Sequence, residues 1–288
     1  MKTLLRLVVF AVLAAGLWLL YRETLGVDPA QRERVASILN DLRQIDAQWD
    51  VHVLRSKTGL DKNYDPLTRP QVAALQVLES SGGKLAAVDY RLSDSEAKLK
   101  EALVAKSDLV DRFKAQNAIL RNSLRFVPLA AEDLKTKARE AAESTPAKRA
   151  EMAALAESVD QVLIDTLKLE TARDAEMNAN LRRRVGKLVE RRGDYPKAVA
   201  DSFDTFLSHV ATISTQKERE DEVLEQLERV ALAERIEAVD RGFMSAFDRM
   251  LGKRETYRLM LYVYAGFLLA LIAFLLGRGS RPEARPAA

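Results

Sequence analysis

The chain has 288 residues, 48% hydrophobic and 30% charged, and its 45 basic and 42 acidic side chains give a formal net charge of +3. That length and balance allow a sizeable core and exclude a disordered chain, while charges interspersed along the sequence instead of gathered in a basic stripe argue against nucleic acid as a partner. With no Cys and only two His, His52 and His209, disulfide frameworks, zinc fingers and thiol nucleophiles are excluded and little is left for any metal site.

Only 12 Gly and 8 Pro break a chain dominated by Ala, Leu, Glu, Lys and Arg. This is the composition of long helices packed on one another, and the expected class is all-α.

At the N-terminus MKTLLR leads into LVVFAVLAAGLWLLY, Leu7 to Tyr21. Residues 7–23 read as a transmembrane helix or signal anchor, with Trp18 and Tyr21 placed like interfacial aromatics. The alternative is a cleaved signal peptide with its small-residue site at Leu13 to Gly16.

Asp28-Pro29 then caps a first helix carrying Val35, Ile38, Leu42, Ile45 and Trp49, which ends near Gly59. A shorter helix restarts at Asp65-Pro66 or at Thr68 to Pro70, carries Val72, Leu75 and Leu78, and stops at Ser80 to Gly83. A third begins at the capping-box pattern Ser93 to Glu96 and runs to Pro128, followed by a linker-like AAEDLKTKAREAAES. Thr145-Pro146 opens a fourth, continuing past Leu188 to Gly193, and Tyr195-Pro196 a fifth with Val199, Phe203, Phe206, Val210 and Ile213. A sixth starts near Lys217 and is expected to run as one rod through Leu227, Ile236, Phe243 and Phe247 into the apolar stretch LMLYVYAGFLLALIAFLL, Leu259 to Leu276.

That last stretch has the length of a membrane span. Lys2 and Arg6 at one end and Arg278, Arg281 and Arg285 at the other place both termini in the cytoplasm by the positive-inside tendency; Lys253, Arg254 and Arg258 weigh mildly against it. The expected division is 1–6 cytoplasmic, 7–23 membrane, 24–256 periplasmic and helical, 257–276 membrane and 277–288 a short cytoplasmic tail. Helices of unequal length suggest two four-helix layers sharing the long rods, an elongated bimodular antiparallel helical bundle framed by two transmembrane helices.

Two motifs carry a family resemblance. VLRSKTGLDKNYDPL, beginning at Val53, together with VDRFKAQNAILRNSLRFVP at 110–128, resembles the DAHL domain, the double all-helical ligand-binding module of bacterial membrane sensors, notably sensor histidine kinases. The resemblance implies a periplasmic sensor domain between two membrane helices, but the chain stops about a dozen residues after its second apolar run, where such sensors continue into an output domain.

Within the first motif, turn geometry accounts for Gly59, Asn63, Asp65 and Pro66 and leaves Tyr64 and Arg55 over. In the second, heptad spacing puts Asn117 on the packed face, where a buried amide needs partners and either fixes helix register or meets a ligand. Arg121, Asn122 and Arg125 follow within two turns, and the two arginines could clamp a carboxylate. His52 and His209 fit semi-core positions. Helix lengths place Tyr64 and Asn117 at different levels of the rod, so the candidate ligand residues are Asn117, Arg121, Asn122 and Arg125, while Gly59 to Pro66 read as a structural cap.

No catalytic constellation, metal set or cofactor motif is present in the sequence. The expected function is a non-enzymatic, inner-membrane sensory accessory protein that binds a small molecule and acts through a separate histidine kinase, chemoreceptor or envelope complex, with homodimerisation through its apolar helices open to it. The alternative is a non-sensing scaffold of a cell-envelope complex.

Overall fold

A computed structural model describes residues 2–25, 29–81, 92–171 and 175–279. Among these residues the protein is all-α, with no strand: α1 (Lys2–Thr24), α2 (Pro29–Lys57), α3 (Asp65–Ser81), α4 (Leu92–Ser144), α5 (Arg149–Thr171), α6 (Ala175–Val189), α7 (Lys197–Arg229) and α8 (Leu232–Gly279), with short 3-10 turns at Pro146–Lys148 and Arg192–Asp194. The expected cap at Asp28, the stop at Gly82-Gly83 and the tail from 280 onward lie outside the described residues.

The chain divides into two compact units, one of Met1–Arg43, Val77–Leu99 and Glu234–Ala288, the other of Gln44–Gln76 and Lys100–Ala233. In the first, Val35, Leu39, Leu42, Leu92, Ile236, Val239, Phe243 and Phe247 are buried. Arg43 of α2 pairs with Asp240 of α8 at 2.5 Å. Helix α8 also meets α1: the Tyr264 hydroxyl donates to the Leu13 carbonyl at 3.1 Å, Gly16 faces that same hydroxyl, and Arg254 Nε donates to the Thr24 carbonyl at 3.0 Å. Among the described residues one helical stretch, which ends at Phe274 in α8, is long and apolar enough to cross a membrane, and none of its apolar window is buried. Phe10, Val12, Trp18 and Leu19 of α1 are likewise exposed.

In the second unit the C-terminal half of α4 packs with α5, α6 and the first half of α7 around Val127, Leu134, Val159, Leu181, Phe203 and Phe206. Ion pairs bridge the neighbouring helices, Lys135–Asp160 across α4/α5 and Arg184–Asp165 across α6/α5. The C-terminal half of α2, α3, the middle of α4 and the second half of α7 form a further group, anchored by Trp49, Leu67 and Phe113. A buried ion pair ties α2 to α4 there, with Lys106 Nζ donating to Asp46 at 2.5 Å and to Asp50 at 2.6 Å.

Three helix boundaries and one buried face differ from the sequence reading. Helix α4 does not stop at Pro128 but runs through it to Ser144, absorbing the expected linker. Val127, Ala131, Leu134 and Ala138 recur at helical spacing with at most 1% exposure, and burying that stripe outweighs the one hydrogen bond Pro128 cannot make. The fourth predicted helix is two, α5 and α6, folded back on one another. The rod expected from Lys217 into the last apolar run is interrupted: α7 continues past Lys217 to Arg229, Val230 is extended, and α8 starts afresh at Leu232. On α3 Leu67, Pro70 and Ala74 are buried, whereas Val72 and Leu75, expected on the core face, are exposed; the side chain of Leu78 lies outside those described.

Candidate functional site

The first motif folds as a capped turn. Gly59 takes φ +75°, a left-handed conformation that only Gly adopts without strain and that ends a helix. The freed amides turn back on α2, Leu60 N–H donating to the Arg55 carbonyl at 2.8 Å and Thr58 N–H to the Leu54 carbonyl at 3.0 Å. Asp61 then swings its carboxylate against α2, where Arg55 Nε reaches Oδ1 at 2.8 Å and His52 Nδ1 reaches Oδ2 at 3.0 Å. The hydrogen bonds from His52 and Arg55 hold the Asp61 carboxyl below its ordinary value. Asn63 Oδ1 accepts the Asp65 amide at 3.3 Å as α3 begins, and Trp49 Nε1 donates to the Leu67 carbonyl at 2.9 Å, fixing α3 to α2.

The second motif lies directly opposite. Helices α3 and α4 run antiparallel with Gln71 against Ser107 and Thr68 against Lys114. In that register the Tyr64 hydroxyl donates to Asn117 Oδ1 at 2.7 Å. The sequence reading had put these residues at different levels of the rod, and the structure corrects it. That reading started α4 midway along the rod, which carried Asn117 past the Tyr64 turn.

Asn117, 1% exposed, is used on both sides: its Nδ2 donates to Glu220 Oε1 on α7 at 2.6 Å. Glu220 is only 2% exposed, and burial raises its pKa against the opposing pull of the Asn117 hydrogen bond and of Lys217 and Lys57. Lys217 is itself buried and bonded to Asp221 at 2.6 Å. Burial also raises the Tyr64 pKa, with the Arg121 charge working the other way.

One turn beyond Asn117, Arg121 Nη1 donates to the Asp61 carbonyl at 3.3 Å, and its guanidinium lies against Gly59, where an added Cβ would stand 3.0 Å from Nη2. Gly59 is thus required twice, for its dihedral and for the closeness of Arg121. Beside this contact opens a cleft of about 600 Å³. Asp61, Lys62, Asn63 and Tyr64 form one wall; Ala118, Arg121, Asn122, Leu124 and Arg125 of α4 form the other, with Glu170 at the edge.

The structure therefore brings Arg121, Asn122 and Arg125 together with Asn63 and Tyr64, and keeps Asn117 behind them as the buried link to α7. Arg125 is exposed and sits over the Phe126 ring at 5.8 Å. Gly59, Asp65 and Pro66 shape the turn. His52 is half-buried against Asp61, and His209 stacks on Phe126 with centroids 6.2 Å apart. Glu220 and Asp61 escaped the sequence reading. A signal for Glu220 existed: after Val210 and Ile213 the apolar seam of α7 passes through Lys217 and Glu220 before resuming at Leu224 and Leu227, and charges on a seam are buried charges that need partners. A larger cleft of about 740 Å³ lies along α5 and α6, but Arg184 in it is already paired with Asp165 at 3.1 Å.

These two motifs, now one site, fall within the match of the DAHL domain family model, which covers residues 27–258. The chain belongs to the DAHL domain family. The DAHL domain is a sensory, ligand-binding domain and not a catalytic one. A comparison with curated proteins found no match.

Proposed function

We propose that this DAHL protein is a membrane-anchored sensory subunit of a bacterial signalling system, which binds a small molecule on the periplasmic side of the inner membrane and acts through a separate partner, a histidine kinase, a chemoreceptor or an envelope complex. The observation that carries this reading is the Tyr64–Asn117–Glu220 chain beneath the cleft: a ligand that moves the Tyr64 turn acts on a buried link spanning α3, α4 and α7. The bound molecule contacts Arg121, Asn122 and Arg125, with Asn117 as the link and not as a direct ligand contact. The exposed apolar faces of α1 and α8, joined through Tyr264 and Arg254, support two spans, and the flanking Lys2, Arg6, Arg278, Arg281 and Arg285 support both termini in the cytoplasm.

Because the chain has no Cys, topology can be read cleanly from Thr145→Cys in the exposed turn after α4. A membrane-impermeant maleimide should label it in intact cells; labelling only after lysis would reject the periplasmic placement. Deleting 27–258 while keeping both apolar ends should abolish the partner's response to its stimulus. A response that persists, with envelope integrity lost instead, would make the chain a scaffold.

A further inference from the structure

We infer that the cleft takes a small organic carboxylate, with Arg121 as the charged anchor that grips it. The inference rests on the ligand-binding reading and adds the chemical class and the residue that selects it.

Three cationic side chains, Lys62, Arg121 and Arg125, face the cleft against two acidic ones, Asp61 and Glu170. Asp61 is already neutralised from behind, since His52 takes one carboxylate oxygen and Arg55 the other. Glu170 is exposed, on the outer edge. Arg121 differs from the exposed Lys62 and Arg125: it is half-buried, its hydrogen bond goes to the Asp61 main-chain carbonyl, and among the described residues it makes no ion pair. A half-buried guanidinium without a counter-ion is a standing demand for an anion, and its planar fork matches a carboxylate through two parallel hydrogen bonds.

The fork is also held in place. The Asp61 carbonyl fixes Nη1, and the missing side chain of Gly59 lets the guanidinium lie flat against the turn. The Tyr64 proton is committed to Asn117, so Tyr64 does not compete for the carboxylate as a donor. Ala118, Leu124 and the Tyr64 ring supply apolar wall, which an inorganic oxyanion would leave unused and an organic body would cover. The volume falls within the range of about 300–1,000 Å³ for small-molecule sites.

The test uses the full chain in detergent at low ionic strength, with melting followed by tryptophan fluorescence. Carboxylates from acetate through succinate to citrate are compared with succinamide, putrescine and inorganic phosphate, since a compound that binds the folded state raises its melting temperature. At least one carboxylate should raise it. Arg121→Gln should weaken that compound's Kd by about 10- to 100-fold, the value of a charge-assisted hydrogen-bonded contact, and Arg121→Lys should recover part of the loss. Arg139→Gln, at an exposed position of α4 outside the cleft, should change it by less than about twofold. Should Arg121→Gln melt early without ligand, Arg121→Lys alone carries the comparison, because it keeps the charge and removes the fork. Protection by succinamide, putrescine or phosphate with none from any carboxylate would overturn the assignment and leave the sensory reading standing. Carboxylate binding that Arg121→Gln and Arg121→Lys leave unchanged would overturn the anchor. Silence from every class of compound would count against both.

Discussion

The hydroxyl of Tyr64, on the turn between α2 and α3, donates to Asn117 Oδ1 across 2.7 Å, although the two residues stand 53 positions apart. That bond joins the two sequence motifs into one site and continues through Asn117 Nδ2 to Glu220.

Tyr64→Phe leaves Asn117 Oδ1 buried without its partner and should cost about 1–3 kcal/mol, read as a lower denaturant midpoint at unchanged slope. Asn117→Ala strands both Tyr64 and Glu220 and should cost more. The double variant should lose distinctly less than the sum of the two, because the bond can be removed only once. Strict additivity would show that the pair is not coupled.

Gly59→Ala forces a Cβ into a left-handed position and against Arg121. A loss of about 1–2 kcal/mol is expected from the dihedral alone, and any ligand held by Arg121 should bind more weakly. Gly186→Ala, in the interior of α6 with nothing within 4 Å, should be neutral or stabilising by about 0.5–1 kcal/mol. Equal responses at the two sites would contradict the account of Gly59.

The pH dependence of stability separates Glu220 from Asp61. Burial raises the Glu220 pKa in the fold, so its contribution is fully present below the ordinary glutamate range of about 4.3 and is lost as pH rises through the folded value. Asp61 has the opposite sign: its lowered pKa gives a contribution present above the ordinary aspartate range and lost as pH falls through the folded value. The groups acting on Glu220 are Lys217 and Asp221 of α7, Lys57 of α2 and Asn117 of α4. In Glu220→Gln that loss with rising pH should disappear, so the variant gains on the wild type from acid toward neutral pH. Melting curves for the two proteins that stay parallel across that range would refute the buried-acid account.

Lys106, 3% exposed, serves Asp46 and Asp50 together. Lys106→Ala leaves Asp46 charged and buried, and should cost about 3–5 kcal/mol. Replacing the pair by apolar residues, Lys106→Met with Asp46→Leu, should recover most of that loss. A double variant as unstable as the single one would point to packing instead of charge.

Helicity and the helix-ending turns were legible in the sequence, because each depends on local facts: residue propensity, apolar spacing, and Gly or Pro where the chain must turn; the family was legible only through the resemblance of the two motifs. Gly59 as the end of α2 and Asn117 as a buried amide followed from spacing alone. Other features depend on which face is covered by a distant part of the chain. Pro128 marks a helix end by local rules, yet the stripe from Val127 to Ala138 carries α4 onward because α5 and α7 bury it. Lys217 and Glu220 look like a solvated break between helices, yet α7 runs through them because Asn117 and Asp221 meet their charges. The pairing of Tyr64 with Asn117 rests on the register of α3 against α4, and register is a sum over many side chains in contact. Local sequence therefore decides what each segment is, and only the packed chain decides which segments face one another and so where a cleft with a half-buried arginine comes to exist.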